Sequence, residues 1–132
     1  MTAVDTNIIV RFLVRDDKEQ AQTVYRRMKR AEANKETLYV SLIVLVETIW
    51  VLESAYDKSR KQVLEAIDDM RRMPVLEFQN DEAVEKLVTR GMDHQADLSD
   101  QLIADSARSD GCKGGITFGR GAAELSFFDL LG

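Results

Sequence analysis

The chain has 132 residues, of which 45% are apolar and 31% are charged, and its net charge is −5. This length suits one domain with a hydrophobic core, so we expect residues 1–132 to form a single domain. The acidic balance argues against a broad basic surface that holds nucleic acid. Local basic clusters remain at residues 26–30 and 71–72, although a charged stripe on a helix is more often its solvated face.

The cysteine and histidine content limits the metal chemistry. One cysteine, Cys112, cannot form an internal disulfide, and with one histidine, His94, there is no cluster for tetrahedral zinc. Any metal must therefore be held by carboxylate oxygens, which suit Mg²⁺ or Mn²⁺. No uninterrupted apolar stretch is long enough to span a bilayer, and Asp5 and Arg11 do not fit a signal peptide, so we expect a cytoplasmic protein without a membrane partner.

Strand-like and helix-like segments alternate along the chain. Strands are predicted at residues 2–4, 38–40, 75–78, 114–118 and 125–128. Helical spacing follows each of the first three, with Ser41, Asn80 or Asp81, and Ser99 as candidate N-caps and Gly111 as the last helix stop. The alternation predicts an α/β fold with a mostly parallel sheet, right-handed crossovers and helices on both faces.

Asp5 is the first candidate for a functional site. It ends the opening strand, and ligands of open α/β sheets bind outside the carboxyl ends of strands. Asp, Thr and Asn are also good cap residues, so Asp5 or Thr6 could simply begin the next helix. The case for a site depends on other acids reaching the same place.

Three further acids qualify. Glu47 lies in the apolar run 42–52, which predicts that it is at least partly buried and needs a partner, a proton or a cation; the alternative is an exposed glutamate paired with an arginine. Asp97 and Asp100 lie at the start of the last helix, where the macrodipole favours acids, so one of them could serve only to stabilise the helix end. Asp105, further along, is predicted to face solvent. If the fold brought these acids together, they would form a carboxylate cup for one or two divalent ions.

The order and spacing of these segments resemble the PIN-domain family, and most closely its VapC-type toxins, over essentially the full length. The matching segments are Asp5-Thr6-Asn7, Glu47 in an apolar helix, the run from Asp100 to Ala104, and Thr117-Phe118. The resemblance implies a three-layer α/β/α sandwich with a mostly parallel central sheet. It also implies Mg²⁺- or Mn²⁺-dependent cleavage of RNA by a toxin that a small antitoxin protein keeps inactive.

Carried over by position, the resemblance implies roles for individual residues. Asp5, Glu47 and Asp100 would be catalytic metal ligands and Asp97 an accessory ligand, while Thr6, Asn7 and Thr117 would support them. The sequence departs from the family at Gly119, where another aspartate is usual. Glycine offers no ligand, so we expect one ion to be lost or the site to be weakened. We expect the Thr117 strand to lie beside the Asp5 strand.

The partners implied are RNA, an antitoxin segment and a second copy of the chain. A surplus of large apolar residues supports a homodimer with an apolar groove for the antitoxin; they are Phe12, Leu13, Ile49, Trp50 and Leu52. One alternative is a PIN-like protein without catalysis that acts by binding RNA or a partner, in which Gly119 marks the loss of catalytic activity. A more distant alternative is another magnesium-dependent phosphoryl-transfer protein, which would need a nucleophile set that the sequence lacks.

Overall fold

The structure, a computed structural model, describes residues 1–132. The helices are α1 (Thr6–Val14), α2 (Lys18–Ala33), α3 (Leu42–Ser54), α4 (Arg60–Arg71), α5 (Asp81–Arg90) and α6 (Leu98–Ser109). The strands are β1 (Thr2–Ala3), β2 (Leu38–Val40), β3 (Leu76–Phe78), β4 (Gly115–Thr117) and β5 (Phe128–Leu130), and a short 3₁₀ helix covers Ala122–Glu124. Every strand pair is parallel. The prediction of an α/β fold with parallel strands is confirmed.

The strands form two sheets instead of the single sheet expected. β1, β2 and β3 are neighbours in one, and β4 pairs with β5 in the other. The expectation that the Thr117 strand pairs beside the Asp5 strand is therefore wrong. β1 is only two residues long, and the Thr2 and Val4 amides already donate to Thr37 and Tyr39 on the β2 side, both at 3.0 Å. The chain divides into two compact units, Met1–Gln79 and Asn80–Gly132, which are described separately.

In the first unit, each helix begins at a residue whose side chain caps it. Asp5, Asp17, Ser41 and Ser59 each accept a hydrogen bond from the backbone N–H three residues later. Such a cap contributes about 1 kcal/mol because the first amides of a helix otherwise lack partners. The predicted cap at Ser41 is confirmed.

The apolar face of α3 forms much of the first unit's core, and this changes one expectation. Ile49 and Leu52 are only 2% and 3% exposed, so they cannot line an open groove. Burial of each stabilises the fold by about 1.5–3 kcal/mol. Phe12 and Leu13 are half-buried, and only Trp50 of the predicted groove is largely exposed, at 67%.

In the second unit, two predicted boundaries move. α6 begins at Leu98 with Asp97 at the N-cap position, two residues earlier than a Ser99 cap would place it. The last strand begins at Phe128, where the predicted strand 125–128 ends, because Leu125 caps the preceding 3₁₀ helix and Phe127 is buried in the turn that follows. Across the whole chain, no helix has the length and apolar content needed to cross a bilayer.

Candidate active site

Asp5 sits where β1 passes into α1. Its Oδ1 accepts a hydrogen bond of 3.1 Å from the Ile8 backbone N–H, so Asp5 is the N-cap of α1. The cap interpretation is thus confirmed. It does not exclude a second role, since the side chain is exposed and the capping bond uses only Oδ1.

A cleft of about 570 Å³ opens beside Asp5. Asn7, Arg11, Asp17 and Glu19 also line it, so the cleft is predominantly acidic. Asn7 is exposed there, and the bond that orients Asp5 comes from Ile8 instead. The bond from Ile8 is the one that the cap interpretation predicts, and the supporting role of Asn7 stays a prediction.

Glu47 is exposed, so the prediction that it is buried is wrong. The apolar run that suggested burial wraps around α3, and its buried residues Leu45, Thr48, Ile49 and Leu52 leave Glu47 on the solvent side with Ile43 and Trp50. Glu47 nevertheless has a specific partner. The hydroxyl of Thr6, a buried residue of α1, donates a hydrogen bond to its Oε1. Thr6 thus fixes the direction of a carboxylate that would otherwise move freely.

The start of α6 brings two acids together in the second unit. Asp97 is exposed and makes no side-chain cap bond, and Asp100 lies half-buried in the first turn. Burial raises the pKa of the Asp100 carboxyl, and the charge of Asp97 raises it further. Two carboxylates that lie this close together repel each other when both are ionised. A bound cation would relieve both the burial cost and the repulsion.

The candidate metal ligands are distributed over both units of the chain. Nowhere in the chain do three or more His, Cys, Asp or Glu side chains form a group that could hold a metal ion. Asp5 and Glu47 belong to the first unit, and Asp97 and Asp100 to the second. The donors fit a hard divalent ion in kind, since all are carboxylate oxygens and the Asp97–Asp100 pair lacks a counter-charge. That all four serve one ion remains a prediction.

Thr117 and Gly119 shape the turn that follows β4. The Thr117 hydroxyl oxygen accepts a hydrogen bond of 2.9 Å from the Gly119 backbone N–H. A Cβ at position 119 would lie 3.3 Å from that oxygen and 3.7 Å from Ala122 Cβ, in a backbone conformation open to any residue. Position 119 can therefore accept a side chain if Thr117 yields by a few tenths of an ångström.

A buried polar network in the second unit was missed by the sequence reasoning. Asp105, predicted to face solvent, is 3% exposed and bonds to Arg108 at 3.0 Å. The buried Gln101 donates to the Lys86 carbonyl at 2.9 Å, and its Oε1 lies 2.6 Å from His94 Nε2. The signal was present in the spacing, because Gln101 and Asp105 share a helix face with Leu98 and Leu102.

Comparison with protein families identifies the fold that holds these acids. The profile of the PIN domain matches residues 2–127, and the chain belongs to the PIN-domain family. PIN domains are generally metal-dependent nucleases and typically bind divalent metals. Neither the curated proteins nor the solved structures include a significant match to this chain.

Proposed function

We propose that this protein is a Mg²⁺- or Mn²⁺-dependent endoribonuclease of the VapC type, the toxin of a toxin–antitoxin pair. The observation that carries the proposal is the Asp97–Asp100 pair, in which burial and like charge raise the pKa of Asp100 with no basic group to compensate. In a PIN domain, this is an arrangement that a divalent cation would complete.

Asp5, Glu47 and Asp100 would be the metal ligands, with Asp97 as an accessory acid. A bound metal would lower the pKa of a coordinated water and neutralise charge that develops on the phosphoryl oxygens. The chain's own contribution is to orient the carboxylates. The Ile8 amide holds one oxygen of Asp5, and the Thr6 hydroxyl holds one oxygen of Glu47. Loss of such orienting partners typically reduces activity by about 10- to 100-fold.

Cleavage of a mixed pool of single-stranded RNA, with and without EDTA, tests the proposal. Asp5 allows a sharp control because Asn caps a helix about as well as Asp. Asp5→Asn should abolish Mn²⁺-dependent cleavage and leave the unfolding free energy nearly unchanged, whereas Asp5→Ala should lose both cleavage and about 1 kcal/mol of stability. Full cleavage by Asp5→Asn would remove Asp5 from the site.

One observation favours a second candidate, a PIN protein that binds RNA without cutting it. Gly119 has no side chain at the position where the family usually has an acid, so the site could lack a ligand that catalysis requires. Chelator-independent RNA binding with no cleavage at any Mn²⁺ concentration would favour this candidate over the nuclease.

The partners are part of the proposal. We expect a homodimer and an antitoxin segment that presents a basic side chain to the acidic cleft. Ile43 and Trp50 flank Glu47 on the exposed side of α3, 81% and 67% exposed, and provide an apolar surface next to that acid. Light scattering at micromolar concentration measures the mass, and a strict monomer would contradict the dimer.

A further inference from the structure

The first unit contains a second cleft, of about 470 Å³, formed by the end of α1 and the first turns of α2. We call it the Tyr25 groove, and its lining residues are Arg15, Lys18, Ala21, Gln22 and Tyr25. No acid lines it. In a chain with a net charge of −5, a groove lined by two cations and no anion is a local exception.

The groove also presents an aromatic ring to solvent. Tyr25 is 44% exposed, and Lys29 Nζ lies 5.5 Å from the centre of its ring. Lys18, Gln22, Tyr25 and Lys29 follow one another at helical spacing, so they form a single stripe along α2. Arg15 extends this stripe from the end of α1, where its guanidinium lies 5.6 Å from the Phe12 ring.

The acids next in sequence to Arg15 and Lys18 are occupied outside the groove. Asp16 bonds to Arg11 at 3.1 Å and to the Tyr56 hydroxyl at 2.9 Å. Asp17 caps α2, and together with Glu19 it lines the Asp5 cleft on the other flank of the helix. The first turns of α2 therefore separate two clefts of opposite character, one acidic beside Asp5 and one basic beside Tyr25.

We propose that the Tyr25 groove binds single-stranded RNA, with phosphates on Arg15 and Lys18 and an unpaired base stacked on Tyr25. Cations that follow the backbone, combined with an exposed ring, are the features by which proteins hold single strands without reading sequence. The inference rests on the proposed ribonuclease function and deepens it, because RNA held there lies on the helix that also borders the Asp5 cleft. A duplex, whose bases are already stacked, cannot use the ring in this way.

Binding is measured by fluorescence anisotropy with a labelled single-stranded RNA of mixed sequence, in EDTA so that no cleavage occurs. Tyr25→Ser should weaken binding roughly fivefold to tenfold, the lower part of the range for base–aromatic stacking, and Tyr25→Phe should not. The double variant Arg15→Gln, Lys18→Gln should reduce the slope of log affinity against log salt by about 1.4, since two phosphate contacts are lost. The matched control is Lys58→Gln with Lys61→Gln, which removes the same charge from exposed positions of the first unit.

Each outcome decides the matter. Selective loss in the groove variants supports the proposal, even if the protein proves to lack nuclease activity. Equal effects of groove and control variants overturn it, as does the absence of single-strand binding by the unsubstituted protein. Competition by an oligo-glutamate peptide that is as strong as competition by RNA and insensitive to Tyr25→Ser would assign the groove to an acidic protein partner. RNA cleavage that persists unchanged in the groove variants would leave the proposed function standing without this groove.

Discussion

At the start of α6, Asp100 lies half-buried beside a second acid, Asp97. Later in the same helix Asp105 is buried more deeply, at 3% exposure, but it bonds to Arg108 and lies within 3.5 Å of the Gln101 amide. The fold supplies a cation for the deeper acid and none for the shallower one. The pairing of a carboxylate, more than its depth, separates a structural acid from one that is available to an external cation.

The largest expected effect is the loss of activity in Asp100→Asn. Because Asp100 is proposed to contact the metal, we expect Mn²⁺-dependent RNA cleavage to fall by at least about 100-fold, the upper range for residues that only orient a ligand. The unfolding free energy at neutral pH should be unchanged or higher, since the substitution removes a repelled charge. Initial rates and urea unfolding measure the two properties, with Asp110→Asn at the end of the same helix as control. Retained cleavage would contradict the distinction drawn between Asp100 and Asp105.

Asp105→Ala should show the reverse pattern. Removing a buried, bonded carboxylate leaves Gln101 with one partner fewer and Arg108 without its ion pair, and we expect a loss of about 2–3 kcal/mol of stability. Arg108 is partly exposed, which keeps the cost below that of a fully buried unpaired charge. Cleavage by the folded fraction should be near normal. An unfolding midpoint equal to that of the unsubstituted protein would show that the Arg108 pair contributes nothing.

Gly119→Asp tests the same distinction between paired and unpaired acids, because it adds one more carboxylate to those proposed to bind the metal. The backbone accepts a Cβ with a small adjustment of Thr117, so the variant should fold. We expect Mn²⁺ affinity to rise about tenfold, the lower range for a partner of the metal sphere, and cleavage to rise with it. Calorimetric titration measures the affinity, and Gly119→Asn controls for size without charge. Equal affinity of all three proteins would place residue 119 outside the metal sphere.

The smallest effect concerns pH. The pKa of Asp100 is raised in the folded protein, so the folded state holds this proton more tightly than the unfolded chain does. The stability that results is fully present below the ordinary value of 3.8 and is lost as pH rises through the folded pKa. The unfolding free energy of Asp100→Asn relative to the unsubstituted protein should therefore increase from acidic to neutral pH. Denaturant unfolding at several pH values without metal measures it, and a flat difference would contradict the raised pKa.

The fold was predicted largely from local chemistry. Helix starts at Ser41 and Asn80 and the strand at 38–40 follow from cap residues and apolar runs, and the structure confirms them. What failed depends on distant parts of the chain. β4 pairs with β5 residue by residue, and no local sequence pattern predicts this choice of partner.

Some contacts of the candidate site could be predicted from the sequence and others could not. The cap at Asp5 is confirmed, while its role in a metal site stays a prediction. Glu47 was misjudged because the apolar run surrounds the helix axis, and only the packing shows which side stays open. Asp105 was misjudged although its spacing from Leu98 and Leu102 places it on the buried face of α6, where it bonds to Arg108.

The capping bond from Ile8 to Asp5 has a consequence for the thermodynamics of cation binding. A carboxylate that rotates freely must lose side-chain entropy when it binds an ion. At Asp5, the same bond that begins α1 already holds the side chain in one rotamer, so this entropy is lost when the helix folds. A cation that arrives later meets an oxygen whose direction is already set. If Asp5 binds the metal ion as proposed, the binding step therefore costs less side-chain entropy than it would at a freely rotating carboxylate.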